Sequence, residues 1–174
     1  MVSFGYYTGP TWVHYCVGAI ISKWSIITAG HCFYKRGAQF HNSSQIRTGD
    51  QNLNDNNWAN TYQINTIIKH PNYKGTGPVN DIAIVYTRTE IQFNAHTQPV
   101  NLPTVSNNDL DTYANETIKF SGWGQYDDSL MPSDDLRVTN FTVYSAAYCN
   151  PLYVNRMVRA RLDEGIVFCA GTKV

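Results

Sequence analysis

The sequence has no long hydrophobic run, since no stretch approaches the roughly 18 uninterrupted apolar residues that argue for a membrane-spanning helix. It has no charge excess either: 13 basic side chains balance 13 acidic ones, without a basic patch or a long charge run. These absences disfavour a membrane partner and a nucleic-acid partner. Internal repeats and low-complexity segments are also missing. The 174 residues are 43% hydrophobic and only 15% charged, a profile typical of one folded globular domain rather than a disordered chain.

The four cysteines lack the C-x-x-C spacing of a zinc site or a thioredoxin-like motif. We predict no metal and no cofactor. Four cysteines allow three pairings, and the sequence alone does not choose among them. The two local pairings, Cys16 with Cys32 and Cys149 with Cys169, each close a loop of moderate length. In the chain-entropy model, each would stabilise the fold by about 3 kcal/mol.

Three N-x-[ST] sequons begin at Asn42, Asn115 and Asn140 and are candidate glycosylation sites. Together with an even number of cysteines, they favour an extracellular location. The first residues have neither the basic nor the apolar segment of a signal peptide. We therefore expect a secreted protein whose signal lies upstream of this sequence.

Short apolar runs separated by turn residues predict an all-β sandwich or barrel. One short helix is predicted after Ser145, a capping residue, and Pro151 should limit its length. The polar segment 101–115 could link two β subdomains. The predicted strands are Cys16–Ile21, Trp24–Thr28, Thr61–Ile68, Ile82–Tyr86, Thr117–Ser121, Leu136–Val143 and Ile166–Ala170.

His31 is the first candidate catalytic residue. An isolated histidine is more often structural, but this one follows an apolar strand and a tight Ala29-Gly30 turn, and Cys32 can fix the backbone beside it. A general base must be held within hydrogen-bond reach of its proton donor, and such a cross-link would restrict its movement.

Asp81 is the second candidate, because it stands directly before the apolar run Ile82–Val85. A carboxylate that enters a buried strand needs a partner, since burying an unpaired charge is costly. The partner is either a backbone N–H group or the ring N–H of His31. In the second case Asp81 would fix the tautomer of the imidazole.

Three motifs in register carry a family resemblance. The segments Cys16–Ser22, Thr28–Cys32 (TAGHC) and Asn80–Ala83 resemble the signature of trypsin-like serine proteases, which have the chymotrypsin fold. Because motifs that agree in order and spacing are far more specific than any one of them, the chain is identified as a member of this family. Further matches are Ile67–Tyr73 (IIKHPNY), Ser121–Gly124 (SGWG) and Phe168–Gly171 (FCAG).

The resemblance implies a chymotrypsin-like double β-barrel with the active site in the cleft between the barrels. On this basis residues 1–174 form a partial peptidase domain, with the first barrel in 1–105 and an incomplete second barrel in 106–174. The implied partners are a protein or peptide substrate and protein inhibitors, for a secreted monomer.

The resemblance also assigns site residues. It implies His31 as general base and acid, with Asp81 as its orienting partner. It implies disulfides between Cys16 and Cys32 and between Cys149 and Cys169.

The nucleophile is where the sequence departs most from the family. The family serine lies in a GDSGG segment shortly after FCAG, whereas this sequence reaches only Thr172-Lys173-Val174. Ser121 resembles a structural strand position, and Ser129 and Ser133 flank Met131-Pro132 in a predicted loop. None has the glycine-flanked turn that would present its hydroxyl. We therefore expect no nucleophile in this chain, and no complete oxyanion hole or specificity pocket.

Three smaller departures concern Gly30, Val17 and the loop Asp50–Asn60. Gly30 replaces the family's usual alanine, a change we expect to be tolerated. Val17 replaces a usual glycine, which favours an inactive homologue. The loop stands where some members bind calcium, but it lacks their paired glutamates, so we predict that it holds no metal.

Three functional hypotheses follow. The first is a fragment of an active serine endopeptidase, inactive by itself because the serine is absent. The alternative is a noncatalytic serine protease homologue with a binding or regulatory role. The third is a fragment without a function of its own, since an incomplete barrel exposes unpaired strand edges.

Overall fold

The computed structural model describes residues 1–33, 43–55, 60–77, 79–103, 113–126, 131–153 and 168–172. This part of the chain is built mainly from strands, so the predicted all-β class is confirmed. No helix among these residues is long and apolar enough to cross a bilayer. The strands are β1 (Val2–Thr8), β2 (Thr11–Ile20), β3 (Ser25–Thr28), β4 (Gln45–Thr48), β5 (Asn60–Lys69), β6 (Ala83–Thr87), β7 (Thr117–Gly122), β8 (Arg137–Tyr144) and β9 (Cys169–Gly171); a 3₁₀ turn covers Gly30–Phe33 and a helix, α1, covers Ala146–Tyr153.

The first six strands close into an antiparallel barrel in the order β1-β2-β3-β6-β5-β4. Strand β4 closes it by pairing with β1, with Val2 opposite Thr48. Side chains alternate across each strand, so every second residue points into the barrel. Burying these apolar groups is the main stabilising contribution. The inward cluster consists of Val2, Phe4, Ile20, Ile26, Ile46, Tyr62, Ile64, Val85 and Ile91.

A three-stranded antiparallel sheet in the order β7-β8-β9 forms the described part of the second unit. Helix α1 follows β8, and the Tyr148 N–H donates to Ser145 Oγ at 3.2 Å, as the predicted cap requires. The expected limit at Pro151 was wrong by two residues, since the helix continues to Tyr153. A proline inside a helix removes one backbone donor, but it does not prevent one further half-turn.

The barrel and the sheet contact each other around Trp123, which is buried between them. Its Nε1–H donates to the Gln51 carbonyl at 2.7 Å. Two backbone bonds reinforce the contact, from Leu53 N–H to the Asp134 carbonyl and from Leu136 N–H to the Gln51 carbonyl, both 2.8 Å. The predicted boundary between residues 105 and 106 lies outside the described residues, so it stays a prediction.

Candidate active site

Strand β3 and a disulfide position His31. The residue lies in the 3₁₀ turn that begins two residues after β3 ends. Thr28, the last residue of β3, donates its hydroxyl to the Val17 carbonyl on β2 at 2.7 Å. Cys32 is bonded to Cys16 on β2, with the two Cα atoms 6.0 Å apart. The backbone on both sides of His31 is therefore tied to one neighbouring strand.

Strand β6 brings Asp81 to the same place. Because β6 pairs with β3 in a register that sets Ala83 opposite Thr28, Asp81, two residues before β6, meets the turn that begins two residues after β3. Asn80 supports this approach with a left-handed backbone, φ 60°, which asparagine tolerates better than most residues. The resemblance grouped His31 with Asp81 across 50 positions of sequence, and the structure brings them into contact.

The Asp81 carboxylate accepts two hydrogen bonds from the same residue. Its Oδ1 accepts from the His31 backbone N–H at 2.7 Å, and its Oδ2 lies 2.7 Å from His31 Nδ1. A carboxylate only accepts, so the ring proton lies on Nδ1 and the neutral ring keeps its lone pair on Nε2. The His31 side chain is 61% exposed and that of Asp81 only 18%. This geometry presents Nε2 to solvent as a base, with the carboxylate behind it.

Gly30 makes room for Tyr73 behind the pair. A Cβ atom at Gly30 would lie 2.9 Å from Tyr73 Cδ1 and 3.3 Å from Asp81 Oδ1. Tyr73 is buried, and its N–H donates to the His70 carbonyl at 3.0 Å. A side chain at position 30 would therefore require a small shift of the Tyr73 ring.

The family model described as Trypsin matches residues 1–173. The chain belongs to this family. Among curated relatives, trypsin from Squalus acanthias is 30% identical over 164 residues, covering 91% of this chain and 66% of that protein. Trypsin-1 from Salmo salar is 27% identical over 159 residues, covering 91% and 58%. The clotting factor G beta subunit from Tachypleus tridentatus is 29% identical over 160 residues, covering 90% and 50%. The chain thus spans between half and two thirds of the length of these relatives.

Both disulfides that the resemblance implied for this Trypsin-family chain are present. The second joins Cys149 on α1 to Cys169 on β9, with the Cα atoms 6.5 Å apart. It fastens the helix to the edge strand of the three-stranded sheet. No cysteine in the described residues is left unpaired.

No described serine of this Trypsin-family chain makes a hydrogen bond to His31. The polar contacts of His31 are with Asp81 and, at 3.9 Å from Nε2, with Cys32 Sγ. Ser129, one of the serines considered from sequence, lies outside the described residues. The other described serines have these settings: Ser3 bonds His14, Ser22 bonds Ser25, Ser43 is exposed, Ser44 bonds Tyr15, Ser121 lies on β7, Ser133 donates to the Asp135 carbonyl, and Ser145 caps α1.

His14 is a second histidine with a defined environment, and sequence reasoning missed it. Its Nδ1 lies 2.8 Å from Ser3 Oγ, which accepts from Trp12 Nε1–H at 3.0 Å. The Ser3 proton is thus directed to Nδ1, an arrangement that suits a neutral imidazole. Burial beside Trp123, whose ring centroid is 5.7 Å away, lowers the pKa of His14 from 6.5 to about 4.

An open hollow of about 450 Å³ lies beside the Asp81 carboxylate. The sequence predicted no function for His70 or Asn80, although both line it. The motif IIKHPNY contains His70, but only the fold shows that this residue borders the hollow. The remaining lining residues are Ile27, Thr28, Ala29 and Ile82.

The loop compared with calcium-binding relatives uses its polar groups for turns and contacts. Asp50 Oδ1 accepts from the Gln51 N–H at 2.6 Å. The Asn52 side-chain amide donates to Asp135 Oδ1 at 2.7 Å, across to the second unit. Residues 56–59 lie outside the described residues, and the absence of a metal here stays a prediction.

The glycosylation candidates differ in setting. Asn115 is exposed in the turn before β7, with φ 71°, and Asn140 is exposed on β8. Asn42 lies outside the described residues.

Proposed function

We propose that the protein containing this chain is a serine-type endopeptidase in which His31 is the general base and acid and Asp81 its orienting partner. The paired 2.7 Å contacts from Asp81 to the backbone N–H and Nδ1 of His31 carry this proposal. They hold the tautomer whose Nε2 can take a proton. Family membership supports the same chemistry, since several relatives are named trypsins.

In the proposed reaction, Nε2 of His31 removes the proton of a serine hydroxyl as the oxygen attacks a peptide carbonyl. The imidazolium then gives that proton to the leaving amine, and an acyl-enzyme remains for water to hydrolyse. Asp81 stays ionised throughout and stabilises the imidazolium. Its low exposure strengthens this interaction relative to one in open water.

We further propose that residues 1–174 do not themselves contain the nucleophile. The described serines support this, because none is hydrogen-bonded to His31. Ser3 and Ser133 are also buried, so they could not meet a substrate without rearrangement. The 174-residue chain is then inactive, and its activity belongs to the full-length gene product.

A fluorophosphonate probe, which reacts with activated serine hydroxyls, tests both proposals. We expect no labelling of the 174-residue chain and stoichiometric labelling of the full-length product. His31→Ala should abolish that labelling, and His96→Ala, at an exposed histidine in the turn between Asn94 and Thr97, should leave it intact.

Two different outcomes would contradict the two proposals, one for the missing nucleophile and one for the endopeptidase function. Labelling of the 174-residue chain that His31→Ala removes would show that a nucleophile lies within it. A folded full-length product that takes no label would exclude the endopeptidase and favour the noncatalytic homologue.

Val17, which replaces the family's usual glycine, was the main argument for the noncatalytic alternative. The structure gives a packing reason for having a valine at this position. Its side chain packs against the cluster of Trp12, Leu53 and Trp123, where the barrel meets the sheet. A valine at this position is therefore useful for packing, and no other contact in the described part of the chain favours that alternative.

We also propose that the protein is a secreted monomer that acts on protein or peptide substrates and is controlled by protein inhibitors. Two disulfides support an oxidising compartment. The exposed asparagines 115 and 140 are then glycosylation sites. Secretion from a eukaryotic host, followed by peptide:N-glycosidase treatment and mass mapping, tests this: unmodified asparagines at both positions would contradict it.

A further inference from the structure

We propose that reduction of the Cys16–Cys32 disulfide creates a zinc site formed by the two thiolates and the His31 imidazole. The donor atoms of these three residues already lie within 4.8 Å of one another. In the oxidised chain the sulfurs are bonded together and no thiolate is available, so the disulfide and the zinc site exclude each other.

The distances fit a tetrahedral zinc ion after a small rearrangement. With Zn–S near 2.3 Å and Zn–N near 2.0 Å, tetrahedral angles place sulfur and nitrogen about 3.5 Å apart. His31 Nε2 lies 3.9 Å from Cys32 Sγ, so the imidazole needs to move only slightly. The two sulfurs must separate to about 3.8 Å. Their Cα atoms, 6.0 Å apart, leave room for side-chain rotation to achieve this.

Asp81 supplies the outer contact that metal-binding histidines usually have. Such a histidine donates its other ring N–H to a carboxylate or carbonyl, which fixes the ring and raises the basicity of the ligand nitrogen. Nδ1 of His31 makes this contact with Asp81 Oδ2 at 2.7 Å. Because the His31 side chain is 61% exposed, the fourth zinc position opens to water.

The other disulfide lacks this arrangement. In the described ranges, Cys16, His31 and Cys32 form the one cluster of three such donors, and Cys149 and Cys169 do not join a histidine or carboxylate. The cysteines of the pair Cys149–Cys169 therefore serve as an internal control in the same molecule.

The chemistry needs a reductant and releases protons. A dithiol transfers two electrons and two protons to the Cys16–Cys32 bond, yields two thiols, and is itself oxidised to a cyclic disulfide. Zinc then displaces the proton from each thiol as both thiolates bind. A newly synthesised chain that has not yet formed its disulfides needs no reductant for this second step.

The consequence for activity rests on the function proposed above, whereas zinc binding does not. A zinc ion on Nε2 occupies the lone pair that the general base would use. Zinc would therefore keep the reduced full-length product inactive and would delay closure of the disulfide beside His31.

Metal titration of the full 174-residue chain tests the site. The chain is reduced with dithiothreitol, desalted without oxygen and titrated with Co²⁺ and then Zn²⁺. We expect one tight site per chain, with the absorption of tetrahedral cobalt and a thiolate-to-cobalt charge-transfer band, and no such site in the oxidised chain. Asp81→Asn should weaken zinc binding about 10- to 100-fold. His31→Ala should weaken it more, and His96→Ala should leave it unchanged.

Alkylation mapping keeps the test decisive if a variant does not fold. Zn²⁺ should protect Cys16 and Cys32 of the reduced wild-type chain from iodoacetamide, while Cys149 and Cys169 react. Equal protection of all four cysteines, equal binding in the oxidised chain, or unchanged affinity in a folded His31→Ala variant would each overturn the proposal.

Discussion

Asp81 accepts hydrogen bonds from both the backbone and the ring of His31, so the two residues contribute unequally to the contact between them. Its carboxylate holds both the backbone and the ring of His31, whereas His31 contributes a largely exposed ring. Removing a partly buried charged acceptor deprives both donors of their partner, which costs more than removing an exposed group. The two residues should therefore differ in their effect on stability, apart from any effect on catalysis.

We predict that Asp81→Ala lowers the free energy of unfolding by about 1–3 kcal/mol, because the His31 N–H loses its acceptor. His31→Ala keeps the backbone bond to Asp81 and should cost less than about 1 kcal/mol. Urea unfolding followed by tryptophan fluorescence measures both values. Equal losses for the two variants would show that the backbone bond contributes little.

His14 should make stability depend on pH. Its folded pKa, about 4, lies below the ordinary 6.5, so folding favours the neutral ring. The contribution is complete above the unfolded pKa and is lost as the pH falls through 6.5 towards 4. The full linkage would be about 3 kcal/mol, and solvent screening of a partly buried ring reduces it to about 2 kcal/mol.

Urea unfolding of wild type and His14→Gln between about pH 7 and pH 4 measures this contribution. The stability difference between the two chains should shift by about 2 kcal/mol in favour of the variant as the pH falls. His96→Gln, at an exposed histidine, controls for the loss of any histidine. A difference that stays constant with pH would mean that His14 protonates freely in the folded chain.

At the scale of elements, seven strands could be predicted in whole or in part from their apolar runs. Strand β1 was missed, and so was the polar strand β4. Its sequence, Gln45–Thr48, contains Arg47, which is nevertheless buried. The guanidinium carbon lies 4.9 Å from the Tyr7 ring centroid and 4.4 Å from that of Trp12. These aromatic partners come from β1 and β2, so no local pattern around Arg47 reveals its burial.

At the candidate site, too, some features could be predicted from the sequence and others could not. Two motifs pointed to His31 and Asp81, because each has a characteristic local context. A backbone N–H and the ring N–H of His31 were alternative partners of Asp81. That His31 supplies both donors could not be predicted, since it depends on the register between β3 and β6. The same register decides which neighbours border the hollow beside Asp81.

Gly18 on β2 marks where the strand packs too closely for a side chain. A Cβ atom there would lie 2.7 Å from Ile26 Cγ2 and 2.9 Å from both the Ile27 carbonyl oxygen and the Phe4 ring. Overpacking of this kind typically costs about 1–3 kcal/mol. We predict a loss of this size for Gly18→Ala, measured by urea unfolding.

Gly124 is the matched control, because a Cβ atom there meets no heavy atom within 4 Å. Gly124→Ala should change stability by less than about 0.5 kcal/mol. Equal stability of the two variants would show that the barrel relaxes around position 18 without cost.

At the scale of the whole molecule, Trp123 connects the barrel and the three-stranded sheet, which differ in how much apolar core each has of its own. The barrel is closed and has its own apolar cluster. The described sheet has three strands and exposes Phe120 and Val138, so it has less core of its own. A small sheet needs packing partners for stability. The barrel should therefore hold the sheet in place through Trp123 more than the sheet supports the barrel.

We predict that Trp123→Ala loosens the sheet before the barrel. The change removes a buried ring, at a cost of about 3–5 kcal/mol, together with the bond to the Gln51 carbonyl. Hydrogen exchange followed by mass spectrometry should show lost protection in β7 and β8 and retained protection in β3 and β6. Trp24→Ala, at a tryptophan that is 48% exposed, should leave both regions protected. If barrel and sheet lose protection together in Trp123→Ala, the chain unfolds as one cooperative unit, and the barrel depends on the sheet as much as the sheet depends on the barrel.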